Sequence, residues 1–297
     1  MIPESGGVEE RWLAVRAESP RGLVPARLRL RRAGDPGSPR KVLLLHGVGI
    51  TGATWARVMP AVAGVADVVA ADMLGFGGSS ARSDVNVNVS AQVRLLPQVL
   101  DGLGWGRGVL VGHSMGGAVG LGAALAWPRR VAGLVQVAGA GLQQRLPASF
   151  KLFATPGAGH VLWLEAWLAR LLRAERLYGA CWSPNADTQV EFLAAQRRLG
   201  HNLAFWRAAR DLRPARFARV MACYPRIACP TLILHGTGDP IVPVSVARRL
   251  AALLPDAELR LFEGCGHMPQ EYPQLGIGPI IAEFLTRRWP SGAGAVQ

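Results

Sequence analysis

Lysine is nearly absent from this chain. Lys41 and Lys151 are the only two among 33 basic residues, so a net charge of +13 against 20 acidic residues is carried by arginine. No basic block or tail concentrates that charge. The pairs Arg31-Arg32, Arg129-Arg130, Arg197-Arg198, Arg248-Arg249 and Arg287-Arg288 lie far apart, with apolar residues between, as solvated helix faces do. A dedicated nucleic-acid partner is therefore not expected. Cysteine is scarce as well. Cys181, Cys223, Cys229 and Cys265 form no C-x-x-C pair and no ligand spacing with histidine, which argues against a metal site or a disulfide framework. The opening MIPESGGVEERW has no basic stretch leading into an apolar one, so no signal peptide is expected, and the expectation is a cytoplasmic protein with free thiols. The most apolar run, residues 109–127, is broken by His113 and Ser114 and dominated by Gly and Ala. It reads as a buried strand plus a core helix, with no membrane span.

What is present is apolar: 50% of 297 residues are hydrophobic, enough for one large domain with an insertion or for two small ones. Residues 11–17 and 27–32 alternate apolar and polar, as an antiparallel pair of edge strands would. Buried strands are expected at 41–45, 66–71, 109–111, 131–138, 231–234 and 258–262. Helices are expected at 52–62, at 90–103 (capped by Ser90 and interrupted by Pro97), after residue 114, at 244–254 and at 275–288. Strands alternating with helices imply an α/β, doubly wound and mostly parallel sheet. From 142 to 224 the strand rhythm stops and helical patterns take over, at 161–177, 188–199 and 202–212, with Trp163, Trp167, Trp182 and Trp206 among them. The expected organisation is a core at 1–141 and 225–290, a helical insertion at 142–224, and a flexible tail at 291–297. No internal repeat is visible.

The chemistry centres on Val109-Leu110-Val111-Gly112-His113-Ser114-Met115-Gly116, a G-x-S-x-G pattern between a strand and a helix. Glycines flanking the serine let the backbone fold tightly enough to lift its hydroxyl above the sheet. The N–H of Met115, at the positive end of the following helix, can then face an oxyanion. A serine needs a base and an orienting carboxylate. His267, in Gly264-Cys265-Gly266-His267, follows one strand; Asp239, in His235-Gly236-Thr237-Gly238-Asp239-Pro240, follows another. The order Ser114, Asp239, His267 is that of one large enzyme class. Asp72 is the alternative acid, although Asp72 and Ser79 read better as residues that fix a loop. His46, His113 and His235 read as structural hydrogen-bonders, and Cys265 as a packed thiol.

Five stretches, LLLHGVGITGATW (43–55), DMLGFGGSS (72–80), VGHSMGG (111–117), LILHGTGDPIVP (232–243) and GCGHMP (264–269), resemble the α/β-hydrolase fold family, in its capped serine esterase and lipase-like branch. The resemblance implies an eight-stranded sheet, a cap formed by residues 142–224, and Val48 as the second oxyanion N–H beside Met115. Trp163, Trp167 and Trp206 are expected at the substrate, because apolar walls with few polar groups are what ligand sites show. The implied activity is cofactor-free cleavage of a small to medium apolar carboxylic ester through an acyl-enzyme. Relatives that open epoxides or carbon–halogen bonds use Asp where this chain has Ser114. Relatives that hydrolyse carbon–carbon bonds of dienoic ring-cleavage products often carry Asn where it has His113, which leaves that reaction second. Perhydrolase, lactonase, thioesterase and acyltransferase chemistry use the same three residues. A ligand-binding or receptor protein on the same fold is the alternative of another class.

Overall fold

The computed structural model describes residues 7–142, 185–212 and 214–289, with side chains described at all of these except 187, 211 and 214–216. The expected helix at 161–177, Trp163, Trp167, Trp182, Cys181 and the 291–297 tail lie outside the described residues.

Eight strands form one sheet: β1 (Glu9–Ser19), β2 (Gly22–Ala33), β3 (Lys41–Leu45), β4 (Asp67–Ala71), β5 (Gly108–His113), β6 (Val131–Val137), β7 (Thr231–Gly236) and β8 (Ala257–Phe262). Their order across the sheet is β1-β2-β4-β3-β5-β6-β7-β8. β1 and β2 are antiparallel and β2 meets β4 antiparallel; every other neighbour is parallel. β2 is thus not an edge strand, since Leu30–Ala33 pair with β4, and β1 alone forms that edge. Gln98 covers part of it, accepting from the Arg16 N–H at 2.8 Å and donating to the Arg16 carbonyl at 3.1 Å.

The helices are α1 (Met59–Ala63), α2 (Val89–Gly102), α3 (Met115–Ala126), α4 (Ala186–Gln196), α5 (Leu199–Asp211), α6 (Pro214–Met221), α7 (Val244–Leu253) and α8 (Ile277–Arg288). Alternation along each strand sends its side chains to two cores. Leu43, Leu110 and Leu134 pack with Leu96, Val119 and Leu250 of α2, α3 and α7. Val42, Leu44 and Val111 pack with Val62, Ile281 and Phe284 of α1 and α8. Each fully buried side chain of this kind contributes about 1.5–3 kcal/mol of hydrophobic free energy. The sheet is therefore covered on both faces, and its parallel strands present their C-terminal ends at one rim.

Two helices differ from expectation for local reasons. Asn88, not Ser90, caps α2, its Oδ1 accepting from the Ala91 N–H at 2.9 Å. Pro97 does not interrupt α2, which runs through it unbroken. A proline there frees the Val93 carbonyl four residues back, and the indole N–H of Trp127 donates to that oxygen at 3.0 Å. The stretch expected to be helical at 52–62 is instead a 3-10 turn, Gly52–Trp55, followed by the short α1 with Pro60 in its first turn.

Candidate active site

The loops after the six parallel strands, β3 to β8, converge at the C-terminal rim. Between β5 and α3, Ser114 adopts φ +50°, ψ −114°, a conformation an L-residue holds only under constraint. The constraint is visible on both sides. Its carbonyl accepts from the Gly117 and Ala140 N–H groups at 2.9 Å each, and its own N–H donates to Val137 at 3.2 Å. A Cβ on Gly112 would sit 2.3 Å from the Gly116 carbonyl oxygen, and one on Gly116 2.2 Å from that of Leu45, so the turn closes only with glycine at both positions. Met115 follows as the first residue of α3 and is fully buried.

His267 and Asp239 come together although 28 residues separate them. His267 Nδ1 donates to Asp239 Oδ2 at 2.7 Å, and Asp239 Oδ1 accepts from the Ile241 and Val242 N–H groups at 2.8 and 2.9 Å. Burial would raise the Asp239 carboxyl, but His267 and the two backbone donors outweigh it and hold it below the ordinary value. With Nδ1 committed to the carboxylate, Nε2 is the ring nitrogen left to meet a second partner.

His113 joins this pair to the serine turn. Its Nε2 donates to the His267 carbonyl at 2.9 Å, and the two rings lie 4.9 Å apart, centre to centre. Burial, with some repulsion from His267, pushes its pKa down to about 3, so His113 is neutral. The loop after β3 meets the same turn. A Cβ on Gly47 would lie 2.8 Å from His113 Nδ1 and 3.2 Å from Ser114 Cβ. In that loop His46 Nε2 accepts from the Met73 N–H at 2.9 Å, which leaves the proton on Nδ1, and Nδ1 donates to the Gly47 carbonyl at 2.7 Å. Val48, the next residue, is half-buried.

The other histidine and the other acid have different work. His235 Nε2 donates to the Val242 carbonyl at 2.7 Å, and burial keeps the ring neutral. Asp72 accepts from Gly52 N–H and Gly78 N–H at 2.7 Å each and from Arg29 and Arg31 at 2.8 and 3.2 Å. Every lone pair is spent on pinning the loops after β3 and β4, as the loop-fixing reading expects; the Ser79 hydroxyl adds bonds to the Asp72 carbonyl at 2.5 Å and from the Arg29 N–H at 2.8 Å. Burial raises the Cys265 thiol, which keeps it protonated. Among the described residues, no three His, Cys, Asp or Glu side chains are grouped to hold a metal.

Spacing alone did not reveal what α4 and α5 do above these loops. Glu191 on α4 pairs with both Arg29 (2.6 Å) and Arg31, and accepts from Thr51 at 3.1 Å, so it shares two arginines with Asp72. Thr188, one turn earlier, reaches the Ala53 carbonyl at 3.4 Å. His201 on α5 donates to the Gly49 carbonyl at 3.2 Å, and Phe205 packs on the same glycine. Trp206, the one expected substrate-side tryptophan among the described residues, is half-buried with the Arg210 guanidinium 4.8 Å over its ring. The available signal was His201 on a face otherwise made of Ala204, Phe205, Ala208 and Leu212, and it gave no address.

A family model described as alpha/beta hydrolase fold matches residues 41–273. The chain is 31% identical over 263 residues to a protein of Pseudomonas putida named 2-hydroxy-6-oxo-2,4-heptadienoate hydrolase, covering 85% of this chain and 91% of that one. Among solved structures it is similar to a haloalkane dehalogenase of Bradyrhizobium elkani (TM-score 0.77, 20% identity, 94% of this chain and 99% of that one). It is also similar to a thermophilic esterase of Thermogutta terrifontis (TM-score 0.69, 22% identity, 94% and 99%). At such identities the structural likeness speaks for the fold alone.

Proposed function

The chain belongs to the alpha/beta hydrolase fold family, and from that premise we propose that it is a serine hydrolase cleaving a carboxylic ester of a small to medium apolar substrate. One observation carries the reading: the 2.7 Å bond from His267 Nδ1 to Asp239, made where His113 ties the His267 backbone to the strained turn of Ser114. Ser114 Oγ adds to the ester carbonyl while its proton passes to His267 Nε2, and Asp239 stabilises the imidazolium. The Met115 and Val48 N–H groups take the oxyanion, each worth roughly 3–4 kcal/mol in such sites. The alcohol leaves with the proton from His267. Water, deprotonated by the same nitrogen, then adds to the acyl-enzyme and releases the acid, restoring Ser114. In this reading residues 142–224 serve as the cap that roofs the substrate.

Hydrolysis of a carbon–carbon bond in a dienoic ketoacid is the second reading, favoured by the name of the Pseudomonas putida relative. Both reactions use Ser114 and His267; they differ in whether an alkoxide or a carbanion departs. A fluorophosphonate probe and a chain-length series of p-nitrophenyl esters, run beside 2-hydroxy-6-oxo-2,4-heptadienoate, separate the readings. The expected result is rapid labelling that Ser114→Ala abolishes, and ester turnover that peaks at short to medium acyl chains and exceeds dienoate turnover. Dienoate turnover with negligible ester turnover selects the second reading, and no labelling at all selects a binding protein.

A further inference from the structure

We propose that His201, carried by α5 outside the sheet domain, is a positioning residue that holds the Val48 N–H in register for the oxyanion; this rests on the reading of Val48 given above. The Val48 N–H belongs to the same planar peptide as the Gly47 carbonyl, so the two point in opposite directions. His46 Nδ1 holds that carbonyl at 2.7 Å, which aims the N–H away from His46. Such a grip sets the direction of one peptide but leaves the loop free to swing about the next. The second grip is His201, whose Nε2 donates to the Gly49 carbonyl at 3.2 Å across 152 residues of chain. Val48 is thereby suspended between two fixed carbonyls.

The two imidazoles are braced on one aromatic ring. Both stand edge-on to the Phe76 ring, at 5.6 Å and 86° for His46 and at 5.5 Å and 89° for His201. All three side chains are fully buried. Gly49 takes the left-handed region, φ +77°, and a Cβ there would sit 2.6 Å from Phe205 Cδ2, so α5 lies directly on the loop. Ala204 and Arg198 of the same stretch land on the loop after β4: a Cβ on Gly75 would meet the Ala204 Cβ at 2.8 Å, and Arg198 donates to the Gly77 carbonyl. His201 Nδ1 has no hydrogen-bond partner and burial pushes the ring down to about 4, so it is neutral with its one N–H spent on Gly49. If Val48 serves as proposed, the helices over the site complete its electrostatics as well as its roof.

The test uses the full chain with His201→Leu, which removes the donor, and His201→Gln, whose amide nitrogen can occupy the place of Nε2. His201→Asn, polar but too short to reach, stands in if the leucine variant does not fold. Two readouts are taken: amide hydrogen exchange over residues 47–52, and ester kinetics alongside the inhibition constants of a trifluoromethyl ketone and of the product acid. The expected result for His201→Leu is at least tenfold faster exchange in that loop and at least tenfold lower kcat with KM within twofold. Affinity for the tetrahedral trifluoromethyl ketone should fall in step with kcat/KM, affinity for the product acid should not change, and His201→Gln should recover most of each loss. Unchanged loop exchange, or a rise in KM with kcat intact, overturns the proposal. Should the wild type turn over no ester, the reading of the site fails, while the exchange data still decide whether His201 holds the loop.

Discussion

Two buried aspartates, Asp72 and Asp239, follow the C-terminal ends of β4 and β7 and look alike in the sequence, each ahead of a glycine- or proline-rich turn. Their partners separate them. Asp239 keeps one oxygen for an imidazole, whereas Asp72 spends both on two arginines and two backbone N–H groups. Asp239→Asn should lower kcat by about 10⁴-fold, because the amide favours the wrong imidazole tautomer, while leaving the urea midpoint almost unchanged. Asp72→Asn should do the reverse. An amide facing Arg29, Arg31 and two N–H groups leaves buried charge uncompensated, at a cost of about 3–5 kcal/mol in urea unfolding, with fluorophosphonate labelling retained in the folded fraction. Loss of labelling in folded Asp72→Asn would return the acid role to Asp72. The meeting of Asp239 with His267, and the tight turn at Ser114, were legible because each residue stands in a turn motif at a strand end. His201 and Glu191 were not: helical spacing says which face a residue is on, but not which loop that face lands upon.

At the scale of elements, the strands were the most legible part, since burial on both faces leaves apolar runs that few other structures explain. The helix termini and breaks were less so, because they depend on partners distant in sequence. Pro97 is the clearest case. The chain reads as a broken helix there, yet Trp127, from the end of α3, supplies the N–H that proline removes from the Val93 carbonyl. Trp127→Phe should therefore cost about 1–3 kcal/mol for the orphaned carbonyl, beyond its loss of packing. In a Pro97→Ala background residue 97 regains its own N–H for that oxygen, so the same Trp127→Phe change should cost less by at least about 0.5 kcal/mol. A double-mutant cycle in urea measures the difference, and strict additivity would mean that the indole contributes packing alone.

For the molecule as a whole, the question is which groups set its response to acid. The carboxylates Asp67, Asp72 and Asp239 are all held below their ordinary 3.8, so they take up protons only in strong acid. The imidazoles act first. Burial depresses His46 and His235 and brings His113 and His201 down from 6.5 to about 3 and about 4. In His113, His201 and His235 one ring nitrogen bonds a backbone carbonyl while Nδ1 is buried without a partner, so protonation would place a charged donor where nothing accepts it. These groups have folded-state values below their unfolded ones. The unfolded chain therefore binds more protons below pH 6.5, and stability present above that pH is lost as the pH falls. Each imidazole contributes up to about 1.4 kcal/mol per pH unit while its folded form stays unprotonated, so His113 and His201 together remove a large part of a typical domain stability of about 5–15 kcal/mol between pH 6.5 and about 4, and His46 and His235 act in the same direction. A chain already at +13 gains further self-repulsion on the way. Urea midpoints should accordingly fall steeply between pH 6.5 and about 4, with an uptake of several protons on unfolding, and His113→Gln should reduce that uptake by about one. A midpoint that stays level until the carboxylate range would show instead that the buried imidazoles find room for their protons.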